Sequence, residues 1–138
     1  MSQQNISVLT LTLIANGAVT AHRAMGFDGA QATSQGQKAM GASVSDADSG
    51  SGVAVVTNGT AIMETGAAVS IGDSLITDDQ GRVIPASALG VGAGATPVTS
   101  TAANGAIFEG ADLPDFVMAD ALQTASAAGK MIEVLLRR

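Results

Sequence analysis

A serine, a histidine and a few closely spaced carboxylates are the side chains in this 138-residue chain that could do chemistry. Gly72-Asp73-Ser74-Leu75 has the form of an esterase nucleophile block, in which Ser74 would accept an acyl group. Such a serine needs a base to take its proton and an acid to orient that base. The one histidine, His22, lies beside Arg23 in an alternating stretch, and the Asp-x-x-His block that would complete such a site occurs nowhere in the chain. Ser74 also opens a β-favouring run in mid-chain, whereas the esterases that carry this block place the serine at a strand-to-helix turn. No catalytic residue is assigned, and the chain is expected not to be an enzyme.

The remaining motifs fall short in the same way. Asp46-x-Asp48-x-Gly50 places two carboxylates as a calcium loop would, without the further oxygen ligand, the later glycine or the distal glutamate. Adjacent Asp78 and Asp79 point in different directions from a turn and are expected to face water rather than share a proton. Gly90-x-Gly92-x-Gly94 resembles half of a phosphate loop, with no helix or Lys-Ser/Thr pair after it. Asn5-Ile6-Ser7 and Asn58-Gly59-Thr60 fit the glycosylation pattern, but no secretory signal is expected, so they are read as chance matches. No cofactor, metal or small-molecule substrate is expected.

Composition narrows the partners. The net charge is −6 with no basic cluster beyond the terminal Arg137-Arg138 pair, which is read as a solvated tail, so nucleic acid is not an expected partner. Residues 8–15 are apolar but interrupted by threonine and too short to span a bilayer, so no membrane association is expected. Without cysteine, disulfides and thiolate metal sites are excluded. Charged residues are 13% of the chain against about 25% in an ordinary domain. So little charge implies that part of the surface is covered by a partner or by further copies.

The elements that would position all these residues read as strands. Residues 8–14 alternate, with Leu9, Leu11 and Leu13 on one face of a half-buried strand. Asn16-Gly17 would turn it into a second strand over 18–27 that carries His22. A strand follows at 38–44, and Asn58-Gly59 between 53–57 and 60–64 reads as a further hairpin. Asp78-Asp79-Gln80-Gly81 reads as the turn of a hairpin joining 74–77 to 82–84, with Gly72-Asp73 leading into it. The last strands fall within 116–122 and 130–136. The only stretch with helical propensity, 119–128, is short and stopped by Gly129. Residues 86–113, rich in Gly, Ala, Ser and Thr, are expected to be a long loop or insertion. Met25, Met40, Met63, Met118 and Met131 are assigned to core filling.

An internal echo runs through this pattern. Met40 to Val44 aligns with Met118 to Leu122, Ala47 with Ala125, Gly50 with Gly129, and Val53 and Val55 with Ile132 and Val134. It implies two related strand-turn-strand units. The chain is therefore expected to be all-β, a small compact β-barrel or sandwich of short antiparallel strands and hairpins with little helix. An N-terminal arm, 1–7, would precede a single β-rich domain, 8–138.

Four blocks carry a family likeness: Ala18-Val-Thr-Ala-His-Arg23, Ala39-Met-Gly-Ala-Ser-Val-Ser-Asp-Ala47, the run from Gly66 through Gly72-Asp73-Ser74-Leu75 to Pro85, and Ala121-Leu-Gln-Thr-Ala-Ser-Ala-Ala-Gly-Lys130 with the strand after it. In this order they resemble the capsid cement or head decoration proteins of tailed bacteriophages. The resemblance implies a structural virion protein, a homotrimer assembled in the host cytoplasm, that binds the outer capsid surface and bridges subunits of the major capsid protein. It brings no catalytic residue with it. The capsid or inter-subunit contact is expected at Gln3, Gln4, Asn5, Ile6 and Ser7. The alternative is a β-sandwich adhesion or carbohydrate-binding module of a phage tail or fibre, for which three Phe and no Trp or Tyr offer a poor stacking surface.

Overall fold

A computed structural model describes residues 3–87 and 115–137. The expected 86–113 excursion lies, after its first two residues, outside the described residues. Among the described residues eight strands form one antiparallel sheet nearly closed into a barrel. They are β1 (Ser7–Ile14), β2 (Ala24–Met25), β3 (Gly41–Ser43), β4 (Gly52–Glu64), β5 (Ser74–Thr77), β6 (Val83–Pro85), β7 (Ala119–Ala121) and β8 (Met131–Leu136). The order is β2-β3-β4-β8-β7-β5-β6, with β1 added on β4. Ala24 N donates to Gly81 O at 2.7 Å, which draws β2 toward the β5–β6 turn at the other end of that order. Among the described residues there is no helix.

The predicted β5–β6 hairpin is present, with Thr77 opposite Val83 and Ile76 opposite Ile84. Gly81 turns at φ +72° and Gly72 leads in at φ +88°, conformations an L side chain resists. Asp78 organises the turn: its Oδ1 accepts from the amides of Gln80 and Arg82, both at 2.8 Å, and its Oδ2 pairs with Arg82 Nε at 2.7 Å. It is 7% exposed, so of the two aspartates only Asp79 faces water as expected.

Both Asn-Gly hairpins expected in the first half are absent. Asn58-Gly59 lies inside β4, which runs unbroken for 13 residues. Gly59, at φ +102°, does not reverse the chain; it sits where the β1–β4 register slips, and a Cβ there would collide with Ile6 O. The positive φ is used for a bulge. After Asn16-Gly17 the chain does not return along β1 either: β1 pairs with β4, Leu11 opposite Val55, while β2 pairs with β3. His22 therefore belongs to no strand; it occupies a turn at φ +63°.

The echo extends well beyond the strands in which it is legible. Ala15 N donates to Ser51 O as Thr65 N does to Lys130 O; Val19 and Ala47 exchange both bonds as Val69 and Ala125 do. His22 N donates to Ser43 O as Gly72 N does to Ala121 O, and Met40 N to Met25 O as Met118 N to Leu75 O. Register agrees: Leu11↔Val55 and Leu13↔Val53 in one repeat match Ala61↔Val134 and Met63↔Ile132 in the other. The first repeat is thus β1, β2, β3 and the first half of β4; the second is the rest of β4, β5, β7 and β8, with β6 extending it. One strand, β4, ends the first unit and begins the second.

The core follows these repeats. Val19, Met25, Val53 and Val55 pack in one cluster, and Val69, Leu75, Ile132 and Val134 hold the matching places in a larger one with Met63, Met118 and Leu136. Burying such a side chain contributes about 1.5–3 kcal/mol. Alanines fill the spaces between close strands, and a Cβ on Gly41 would collide with Val56 O. Met25, Met63 and Met118 are core as expected, whereas Met131 is 44% exposed.

Candidate functional site

The N-terminal arm is held by its backbone amides and by the Gln3 side chain, and residues 3–7 are all exposed. β8 places Glu133 between Ile132 and Val134, on the sheet face opposite to theirs by alternation. There its carboxylate accepts from Gln4 N at 2.9 Å through Oε2 and from Asn5 N at 3.2 Å through Oε1. The Thr60 side chain hydrogen-bonds the same carboxylate, and Thr60 Oγ1 also accepts from Ile6 N at 2.7 Å. Gln123 Oε1 accepts from Glu133 N at 2.8 Å and from Gln3 Nε2 at 3.3 Å, while Gln3 Nε2 also reaches Met131 O at 2.8 Å. The Thr60 hydroxyl first, then the Gln4 and Asn5 amides, hold Glu133 below the usual carboxylate range against the opposing effect of burial. Asn5 takes φ +50°, so the chain bends between arm and β1 at a residue type that tolerates it.

Of the expected contact residues, Gln3, Gln4, Asn5 and Ile6 lie along this strap and Ser7 is the first residue of β1; all five are exposed. Beyond them β1 departs from expectation, since it is open on both faces rather than half-buried. Val8 is 74% exposed and Ile14 67% on one side, Leu9 49% and Leu11 43% on the other; only Leu13 is half-buried. Residues 2–21 contain no charged side chain. No role was expected for Glu133, nor any structural role for Thr60 or Gln123; the available signal was a lone carboxylate inside the apolar run Met131 to Leu136.

The residues that could have formed a nucleophilic site are committed to separate structural tasks. His22 Nδ1 lies 3.1 Å from Ile62 O. Ser74 Oγ accepts from Arg137 at 3.2 Å, and Arg137 forks onto both oxygens of Asp120 at 2.6 Å, so Arg137 is no free tail. Asp46 Oδ1 accepts from Ala21 N at 2.7 Å in the loop once compared with a calcium site. Among the described residues no three His, Cys, Asp or Glu side chains are grouped to hold a metal ion. Nor is any helix among them long and apolar enough to cross a membrane. Lys38 stands over Phe27 and Phe116, 5.8 and 5.7 Å from the ring centroids, and ties residue 116 to the 27–38 segment.

Comparison with known proteins gives three results. Residues 2–137 match the family model described as phage cement protein. No curated protein matches the chain. Among solved structures, the N base of the head fiber gp8.5 of bacteriophage phi29 is similar, with a TM-score of 0.59 and 18% identity over 94% of this chain and 93% of that one. At that identity the likeness is one of fold.

Proposed function

The chain belongs to the phage cement protein family, a family of phage structural proteins, and from that premise we propose that it decorates the outer surface of a tailed-phage capsid and stabilises it by bridging subunits of the major capsid protein. The observation that carries this reading is the arm at 3–7: its backbone is fixed to the body through Glu133 and Thr60, and beyond Gln3, whose side chain is bonded to Gln123 and Met131, its side chains are exposed and can meet another protein. A bridging protein gains from several modest contacts made at once, and several copies joined as a homotrimer multiply that gain. The uncharged, apolar β1 that continues from the arm suits a protein interface and not a solute pocket.

Deleting residues 1–7 tests the reading on purified, undecorated heads. The full chain is expected to co-sediment with them and to raise their resistance to heat or osmotic shock, and the deletion to lower occupancy at least tenfold. Equal occupancy by the two forms would defeat it.

A further inference from the structure

β1 and the second half of β4 hold equivalent places in the two repeats, yet among the described residues only the second is covered. In the second repeat Ala61 and Met63 are 2% and 0% exposed. The strand edge turned away from β8 is closed by the turn of the first repeat: Glu64 N donates to His22 O at 3.1 Å, His22 Nδ1 lies 3.1 Å from Ile62 O, and Arg23 pairs with Glu64 at 2.7 Å. The equivalent positions in the first repeat are Leu11 and Leu13 on the face and Thr12 and Ile14 on the edge. Leu11 is 43% and Ile14 67% exposed; among the described residues β1 pairs with no strand but β4, and on the open edge Gly29 packs against the Ile14 carbonyl. The turn that corresponds to His22 is at Gly72, and among the described residues nothing covers it. Ile71 is 70% exposed, and a Cβ on Gly72 would meet nothing within 4 Å. The described residues thus contain one completed turn-on-edge contact and, unmatched among themselves, both halves of a second.

We propose that another copy of this chain supplies the match: the Ile71-Gly72 turn of one copy docks on the free edge of β1 of the next, meeting Thr12 and Ile14 as His22 meets Ile62 and Glu64 within a chain. Charge agrees with this occupant. Residues 2–21 and 65–72 carry no charged side chain, so two molecules of net charge −6 meet through neutral surfaces. The counterpart of the Arg23–Glu64 pair would be Asp73 and Ile14; the Asp73 carboxylate is instead turned onto Ser70 N at 2.8 Å, within its own turn. Because two different surfaces meet, the contact is head-to-tail and builds a ring when its rotation closes. It also protects an apolar edge strand that a free monomer would expose. The proposal rests on the family reading only for the number of copies in that ring.

The absence of cysteine makes the contact addressable. Thr12→Cys and Ile71→Cys chains, mixed in equal amounts without heads and treated with a short bis-maleimide, are expected to yield cross-linked pairs containing one chain of each kind. Ile71→Glu is expected to reduce the mass in solution to that of one chain while its circular dichroism stays that of the unmodified protein. Pairs made only of Thr12→Cys chains would show β1 meeting β1 and overturn the proposal. So would a single-chain mass for the unmodified protein, or an unchanged oligomer in Ile71→Glu. Neither substitution touches the arm, so head binding measured on the same variants separates failure of this contact from failure of capsid bridging.

Discussion

Glu133 is a buried carboxylate whose partners are backbone amides of the arm and the Thr60 side chain, so its charge and the arm's position depend on each other. Replacing it by Gln keeps the size but removes the ionised acceptor, which should cost about 1–3 kcal/mol. The arm should then be cut faster by a non-specific protease while the barrel survives. The pH dependence has a definite sign. An unfolded glutamate titrates near about 4.3, and Glu133 in the fold titrates lower. Its contribution to stability is therefore complete above the unfolded value and is lost as pH falls through the folded value, because between the two the unfolded chain takes the proton first. Melting temperatures of the wild type and Glu133→Gln should differ at neutral pH and converge in acid; a gap independent of pH would contradict the assignment. Ser74 and His22 carry the opposite expectation. With Ser74 Oγ on Arg137 and His22 on Ile62 O, Ser74→Ala should leave head binding unchanged in the co-sedimentation assay.

Among the elements, β4 departs furthest from its sequence, and Gly59 is the cause. Alanine there would have to adopt φ +102° and would collide with Ile6 O, whereas Gly50, at φ +85°, has nothing within 4 Å of its would-be Cβ. Backbone strain alone costs about 1–3 kcal/mol. Gly59→Ala should add the collision to that, so its denaturant midpoint should fall well below that of Gly50→Ala; equal midpoints would mean that the bulge is not needed. The contrast also explains what could be read in advance. The β5–β6 hairpin was legible because its turn chemistry is local: Asp78, Gly81 and their amides lie within a few residues of one another. Asn58-Gly59 carries the same local signal and gives no hairpin, because β1, β3 and β8 hold β4 extended on either side of it. The alternation of Leu9, Leu11 and Leu13 announced a strand correctly but not its exposure, since nothing in an alternating run says whether the covering face belongs to the same molecule. Glu133 escaped notice for a similar reason, as the arm that covers it lies more than a hundred residues away in sequence.

At the scale of the whole molecule, the two repeats share a strand, and the surface they leave unmatched is the one with no charge. The net charge of −6 is carried elsewhere, because the first charged side chain after the amino terminus is Arg23. If the arm and β1 are where this protein meets other proteins, assembly should depend on apolar area and backbone hydrogen bonds, which salt does not screen. Raising the salt from about 0.05 to about 0.5 M shortens the Debye length from roughly 14 to roughly 4 Å, enough to remove most attraction between exposed charges. Occupancy on purified heads should therefore change by less than about threefold across that range, and the apolar contribution should hold or strengthen in sulfate. A fall of tenfold or more would mean that the acidic surface faces the capsid and that the uncharged amino-terminal stretch serves only contacts between copies. Ile6→Asp provides the complementary case. It puts a charge into the neutral stretch at a side chain 57% exposed, so the fold should tolerate it. Head binding should nevertheless drop, and the loss should persist at high salt, because desolvating the new carboxylate is not relieved by screening.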